Sequence, residues 1–377
     1  MAGMYIHIPF CTKKCPYCDF VSGPASPETK KRYLHAVRQE MLLAAERPML
    51  SGLHFGSIFI GGGTPTTVQA EEIISLVDTA LETFLFSGTP EITVEANPET
   101  VSPAYLREIV CAGVNRVSIG AQDFADKGLA ALGRNHTVDQ VVAAYDAARA
   151  AKVPNVNLDL IYGWPGQSPE EWMKSLETAV SLEPDHISCY ELTLEDCTAM
   201  AGEVAAGQVV LPSEREVYAM TEFVEEFLQE AGYEQYEISN FCKPGMECRH
   251  NINYWENGAY LGMGAGAVSF VPPKRFENTE KLSRFIELIF GGKRASMYAE
   301  TLGPEARFRE AVILALRMNR GIELRKFRLR WGYDLMLYYG DRVSEMIGAG
   351  FLNLTGGRLY LTRQGRRVAN SVLSRLV

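Results

Sequence analysis

Through the first half of the chain, short runs of apolar and β-branched residues alternate with longer stretches in which apolar positions recur every three or four residues. The short runs predict strands over Tyr5–Pro9, Ser57–Ile60, Glu91–Glu95, Arg116–Ile119, Asn155–Ile161 and His186–Glu191. The stretches between them predict helices over Glu28–Glu46, Glu71–Phe84, Pro103–Ala112, Thr137–Ala151 and Pro169–Ser181. Two of these helices open on serine followed by proline, Ser102-Pro103 and Ser168-Pro169, a start signal in which the hydroxyl caps free N–H groups and proline fixes the first turn. Strands joined through helices can pair in parallel with right-handed crossovers. Six such units are too few for a closed eight-stranded barrel, so the pattern predicts an α/β fold built as an open, partial (β/α)6 barrel.

The rhythm changes after Glu195. A helix over Ser213–Gly232 leads into YEQYEISNF and then CRHNINYWENGAYLGMGAGAVSF, where Gly258, Gly262, Gly264 and Gly266, with Gly245 upstream, suggest tight turns beside a ligand or another segment. From Gly303 the pattern gives helices over Glu305–Met318, Leu324–Trp331 and Met336–Ala349. Two short strands, FLNLT and RLYLT, follow across Gly356-Gly357. Helices followed by a hairpin predict a C-terminal α+β module of winged-helix type. The expected division is 1–195 for the barrel, 196–300 for its extension and 301–377 for the module.

The 377 residues exceed one ordinary core and suit a barrel of about 250 residues with an appended domain. With 47% hydrophobic and 22% charged residues, the composition is that of a globular protein. No basic-then-apolar leader and no apolar run long enough for a membrane span occur, so a cytoplasmic location is expected. The net charge of −9 is uneven: residues 304–377 carry 14 Lys+Arg against 6 Asp+Glu, a local +8 that leaves −17 on the rest. The body therefore repels nucleic acid, while the module can attract an anionic partner. Winged helices often read DNA, but these arginines are spread over helices and hairpin alike, and no nucleic-acid partner is expected.

Of eight cysteines, Cys11, Cys15 and Cys18 lie within eight residues in the spacing C-x3-C-x2-C, and the other five are scattered. Clustered thiols in a reducing compartment point to metal rather than disulfides. Structural zinc usually needs a fourth ligand from a second knuckle, and no second CxxC is present; three close thiolates suit a cubane iron–sulfur cluster with one corner left open. Other polar residues fall where the predicted strands end: Gly61-Gly62-Gly63-Thr64-Pro65 after the second, Glu95 at the third, Gln122 after the fourth, Asp159 in the fifth and Glu191 at the sixth. The C-terminal face of a parallel barrel is where active sites form. A triple glycine alone more often marks a tight turn, and this one lacks the spacing of a phosphate loop. Beside a cluster, its bare backbone could bind an amino-acid group. Glu95, Gln122, Arg134 and Asp159 supply the carboxylates and donors that an ammonium, a carboxylate and a sulfonium require.

YIHIPFCTKKCPYCDF, GGGTPT, VEANPE, NRVSIGAQDF, LGRNH, NLDLIYGWPGQ and CRHNINYW together resemble the HemN/HemW branch of radical S-adenosylmethionine (SAM) proteins, over most of the chain and in family order. The resemblance implies a [4Fe–4S] cluster on Cys11, Cys15 and Cys18. It implies SAM held by Tyr5, Tyr17, Gly62, Gly63, Thr64, Glu95, Gln122, Arg134 and Asp159, with Thr193 a further candidate. Within the branch, the anaerobic coproporphyrinogen III oxidases carry a fourth cysteine after the triad and a long N-terminal extension. Here Phe20 occupies that position and four residues precede Tyr5. Both departures resemble the haem chaperones, whose mark HNxxYW is matched by His250-Asn251-Ile252-Asn253-Tyr254-Trp255.

The resemblance therefore implies haem as cargo and an acceptor haemoprotein as partner, and it leaves open a peripheral membrane contact and a homodimer. An oxidase, and a haem-degrading SAM enzyme, are the alternatives. His250 is the first candidate for haem contact, weighed against a histidine that merely anchors a turn, and Cys242 and Cys248 bracket it. His7 and His136 read as supports of the pocket. The module's +8 could receive haem propionates, a membrane surface or an acidic acceptor.

Overall fold

The computed structural model describes residues 1–377. Strands β1 (Ala2–Ile8), β2 (His54–Gly62), β3 (Leu85–Ala96), β4 (Arg116–Gln122), β5 (Asn155–Tyr162) and β6 (His186–Glu191) pair in parallel in sequence order. Their connecting helices include Pro27–Ala45, Ala70–Thr83, Pro103–Cys111, Val138–Ala150 and Pro169–Ser181. Ser26, Ser102, Thr137 and Ser168 cap four of these by accepting a backbone N–H, and Thr137 and Ser168 form reciprocal boxes with Gln140 and Glu171. The barrel is open, as expected: β1 and β6 do not meet, and the sheet grows outward from both.

The growth comes from the segment after Glu195. Strands β7 (Glu234–Gln235) and β8 (Asn240–Cys242) add antiparallel beside β6. On the other edge β9 (Tyr260–Met263) adds parallel to β1, followed by antiparallel β10 (Val268–Val271), β11 (Lys274–Asn278) and β12 (Ser296–Thr301). The result is one twelve-stranded sheet. The glycine-rich stretch thus builds sheet as well as turns.

Two faces of the six parallel strands have opposite chemistry. Met4, Ile6, Ile8, Ile58, Ile60, Ile92, Val94, Val117, Ile119, Val156 and Leu158 point under the helices, into a core of 62 buried residues. Each such side chain contributes about 1.5–3 kcal/mol by leaving water. The alternate positions line the inside, and many are polar: Ser57, Glu91, Thr93, Arg116, Ser118, Asn157, His186 and Ser188 are all buried. Buried polar groups are costly unless hydrogen-bonded. Here Ser118 donates to Asp159 Oδ2 at 2.7 Å, Asn157 Nδ2 donates to Asp159 Oδ1 at 2.9 Å, and His186 Nδ1 lies 2.6 Å from Asn157 Oδ1.

The helix Arg249–Trp255 closes the N-terminal end of this polar interior. Glu91 inside β3 receives its first free N–H groups, Arg249 on Oε2 and His250 on Oε1, both at 2.9 Å. Burial works against the charged Arg116 guanidinium, and Cys248 and Glu91 outweigh it and keep the group protonated. Glu91 is the effective anion of the two, because burial pushes the Cys248 thiol up to about 12.

The C-terminal module has its own core of 15 buried residues from Phe308 to Leu376. A three-stranded sheet of β13 (Ile322–Glu323), β14 (Leu352–Thr355) and β15 (Arg358–Leu361) is flanked by helices, with the hairpin where the sequence predicts it. One expectation fails. Met336–Ala349 is two helices, Leu335–Tyr339 and Asp341–Gly348, because Gly340 adopts φ 51°, ψ −120°, a conformation glycine alone takes readily. The module's arginines are also less solvated than expected. Arg363, Arg366 and Arg367 grip the buried Glu225 of the helix Glu214–Glu230 at 2.6, 3.8 and 3.1 Å.

Replacing Glu91 tests the closure of the barrel. Glu91→Ala leaves two helix N–H groups without their acceptor and a buried guanidinium without a nearby counter-charge, and it is expected to destabilise the protein by about 3–5 kcal/mol, read as a lower Tm in thermal unfolding. An unchanged Tm would show that the floor of the barrel is held by other contacts.

Candidate functional site

A cavity of about 360 Å³ opens at the C-terminal ends of the strands. Cys11, Cys15 and Cys18 line it from the loop after β1. So do Gly62, Gly63 and Thr64 after β2, Glu95 and Asn97 at the end of β3, Ser118, Gly120 and Gln122 of β4, and Asp159 and Ile161 of β5. Tyr17, Arg134 and Tyr190 complete the wall. Eight of the ten residues implied for SAM therefore share one cavity with the cysteines.

Two do not. Tyr5 is outside the lining, its hydroxyl donating to His7 Nδ1 at 2.9 Å while His7 Nε2 donates to the Val21 carbonyl at 2.9 Å. Through His7 it braces the loop that carries the cysteines, and it stands close enough to Glu95 for that carboxyl to raise its pKa. Thr193 is exposed and lines a separate cavity on the far side of Tyr190. It follows β6 but points away from the other residues.

Local backbone geometry explains the convergence. Gly63 lies against the cysteine loop: a Cβ there would sit 2.7 Å from the Phe10 carbonyl oxygen and 3.0 Å from Cys11 Sγ. Its own N–H donates to the Ile8 carbonyl at 2.9 Å and that of Thr64 to the Phe10 carbonyl at 2.7 Å, stitching the glycine run to the cysteine loop. At the end of β4 the pairing register slips between Ile119 and Gln122, and Gln122 takes φ 67°. This bulge turns its side chain into the cavity. Arg134 reaches Cys15 Sγ at 3.4 Å and Asn97 Oδ1 at 2.7 Å.

The donor set fits a polynuclear cluster better than a lone ion. The three thiols are free, half-buried and open on one space. No three His, Cys, Asp or Glu side chains converge closely enough to hold a single metal ion. Arg134 stands beside the sulfurs, its Nη1 3.4 Å from Cys15 Sγ, a cation placed to offset charge on the group they would hold. The rest of the cavity is anionic. Glu95 accepts the Gly62 N–H at 3.0 Å, and burial, with Asp159 nearby, pushes its carboxyl up to about 8. A cation entering the cavity would favour the ionised form of Glu95.

His250 lies outside this cavity. It is 1% exposed, with Nδ1 2.9 Å from Ser57 Oγ and its ring stacked on Phe59 and edge-on to Tyr254. Burial, with Arg116 second, lowers its pKa to about 3, so it is neutral and sealed in the barrel floor. The histidine so expected to contact haem anchors the closing helix in the barrel floor, apart from the cysteine-lined cavity. Cys242 and Cys248 are equally buried, and burial holds both thiols protonated, each pushed up to about 12. His136 donates from Nε2 to the Ala121 carbonyl at 3.1 Å, a support of the β4 bulge.

Asn97, Ser118 and Tyr190 were not singled out by the sequence. The signal existed: in Arg116-Val117-Ser118-Ile119 and Asn155-Val156-Asn157-Leu158-Asp159 polar and apolar residues alternate, marking strands with a polar inner face.

Comparison with known proteins matches residues 5–179 to the radical SAM superfamily and residues 302–368 to the HemN C-terminal domain. The chain is 35% identical to Heme chaperone HemW of Mycobacterium tuberculosis, over all of this chain and 94% of the relative. It is 35% identical to that of Bacillus subtilis, over 99% of this chain and 98% of the relative, and 38% identical to that of Escherichia coli, over 98% and 97%. Among solved structures, coproporphyrinogen III oxidase (HemN) of Escherichia coli superposes with a TM-score of 0.85 at 24% identity, covering all of this chain and 89% of the other, a likeness of fold.

Two outcomes test the site. Gly63→Ala pushes a methyl group into the cysteine loop and is expected to abolish iron and sulfide uptake on anaerobic reconstitution. Gly202→Ala, which meets nothing within 4 Å, should load normally; full loading of Gly63→Ala would show that the cradle is dispensable. Because Glu95 is raised from 4.5 to about 8, its stabilising contribution is complete below pH 4.5 and lost as pH rises through 8. Glu95→Gln is therefore expected to raise Tm relative to the wild type at pH 8.5 but not at pH 4.5. A pH-independent difference would contradict the assignment.

Proposed function

The chain belongs to the Heme chaperone HemW family of the radical SAM superfamily, and from that premise we propose that it is a cytoplasmic carrier that binds haem and hands it to acceptor haemoproteins. The observation that carries this reading is the position after the cysteine triad. Cys18-Asp19-Phe20 puts an aromatic ring, 60% exposed at the cavity wall, where the oxidases of this branch carry a fourth thiol. Full-length relatives at 35–38% identity support it; the likeness to the oxidase is one of fold.

In this reading Cys11, Cys15 and Cys18 hold a [4Fe–4S] cluster, which supplies a one-electron donor and an open iron for SAM. Glu95 and Asp159 take the cationic groups of SAM. Arg134, between Cys15 and Asn97, offsets thiolate charge and presents donors to its carboxylate. Gly62 and Gly63 offer bare backbone, and Tyr17 covers the site.

Anaerobic reconstitution followed by haem titration, with coproporphyrinogen III turnover assayed in parallel, tests the proposal. Stable stoichiometric haem binding without vinyl porphyrin or CO2 is expected. Conversion of coproporphyrinogen with CO2 release would make the protein an oxidase, and an opened tetrapyrrole would make it a degrading enzyme.

A further inference from the structure

A second, larger cavity of about 870 Å³ lies where the rim of the barrel, the helix Glu214–Glu230 and the C-terminal module meet. It is more than twice the volume of the cysteine-lined cavity and near the top of the ~300–1,000 Å³ usual for small-molecule sites. Tyr190 lines both, so a ligand in the larger cavity would lie one side chain from the SAM site.

Its walls are amphipathic in a particular way. Leu192, Leu211, Val217 and Phe241 give apolar surface, and the module contributes Arg317, Arg366 and Arg367. Arg367 is committed: it pairs with Glu222 at 2.8 Å and Glu225 at 3.1 Å. The other two have no ion pair shorter than 3.8 Å. Arg366 is only 3.8 Å from Glu225, its Nε has no hydrogen-bond partner, and Nη1 reaches the Leu361 carbonyl at 3.5 Å. Arg317 likewise has an unpartnered Nε, and its single side-chain hydrogen bond goes to Asn370 Oδ1 at 3.5 Å. Glu237, the acid that acts on Arg317, already receives the Ser239 N–H at 3.0 Å and Asn240. Arg317 is held in place by stacking on Trp255 at 4.9 Å. The carboxylates of Glu191 and Glu214 on the opposite side stand exposed to solvent. Desolvated guanidinium groups with free donors are costly unless an anion meets them.

We infer that this cavity seats the tetrapyrrole, its apolar ring against the barrel rim and its two propionates on Arg317 and Arg366. The inference rests on the haem-carrier reading and gives it a place outside the barrel floor. The site recognises carboxylates on a planar apolar body, so it accepts the iron-free porphyrin as well as haem. It also puts the ligand's acidic edge at the seam between barrel and module, beside the ion pairs of Glu225 that hold the two together.

The test compares haem, protoporphyrin IX and haem dimethyl ester in equilibrium titrations of the reconstituted wild type and of Arg317→Ala/Arg366→Ala. Wild type is expected to bind haem and protoporphyrin IX alike and the ester about tenfold or more weakly. The double variant should lose a similar factor for haem and nothing further for the ester. Equal wild-type affinity for haem and its ester would overturn this site while leaving the carrier reading intact, and it does not depend on the variant folding. Loss of binding by the variant for haem and ester alike would also reject the propionate contacts. Wild type that binds none of the three probes would reject the carrier reading and this site together.

Discussion

A parallel barrel that stops at six strands has an inside that must be filled without a closed ring of apolar side chains, and the structure depends on how that inside is sealed. Glu91 does it from the middle of β3, receiving the first N–H groups of the helix Arg249–Trp255 and facing the buried Arg116. A buried carboxylate is tolerable only when donors and a counter-charge surround it. The helix supplies the donors and β4 supplies the charge. His250 then seats against Ser57, Phe59 and the bare backbone of Gly3, where a Cβ would come within 3.0 Å of its ring. With the floor closed in this way, the cysteine-lined cavity opens at the C-terminal ends of the strands.

At that end the inner polar ladder becomes a site. The same alternation that places Ser118 and Asn157 inside brings Asp159 and Glu95 up to the mouth, where the cysteine loop and the glycine run meet. Its electrostatics are divided. Arg134 lies beside the thiols, while carboxyls lie deeper, with Glu95 driven toward its protonated form by burial. A site so arranged is suited to a ligand that is itself divided, with an anionic part and a cationic part.

The C-terminal module is fastened by charge. Helix Glu214–Glu230 presents Glu222, Glu225 and Glu226, and Arg363, Arg366 and Arg367 answer from the other side. Much of the module's positive excess is therefore spent on attachment, while Arg317 and Arg366, which line the larger cavity, have no ion pair shorter than 3.8 Å. A cavity at such a seam can change shape when the ion pairs along it exchange partners.

The sequence by itself determined the local and the periodic. The order of six strand–helix units, the capped helix starts at Ser102 and Ser168 and the hairpin at Gly356-Gly357 were legible because each rests on neighbours a few residues apart. The three thiols and most of the cavity residues were legible too, since the ends of parallel strands must lie on one face. What it left undetermined involves residues far apart in the chain. Whether Tyr5 faces the cavity or His7, that Thr193 turns to a second cavity, and that His250 is sealed by Ser57 and Phe59 are decided by packing between elements. So is the break at Gly340, where two helices must bend over a shared core. The pairing of Glu225 with three arginines nearly 140 residues away has no local signature, because a charge pattern on one helix does not name the segment that will neutralise it. Short-range order is written in propensity and spacing, whereas burial, which sets the role of each of these side chains, exists only once the sheet has closed around it.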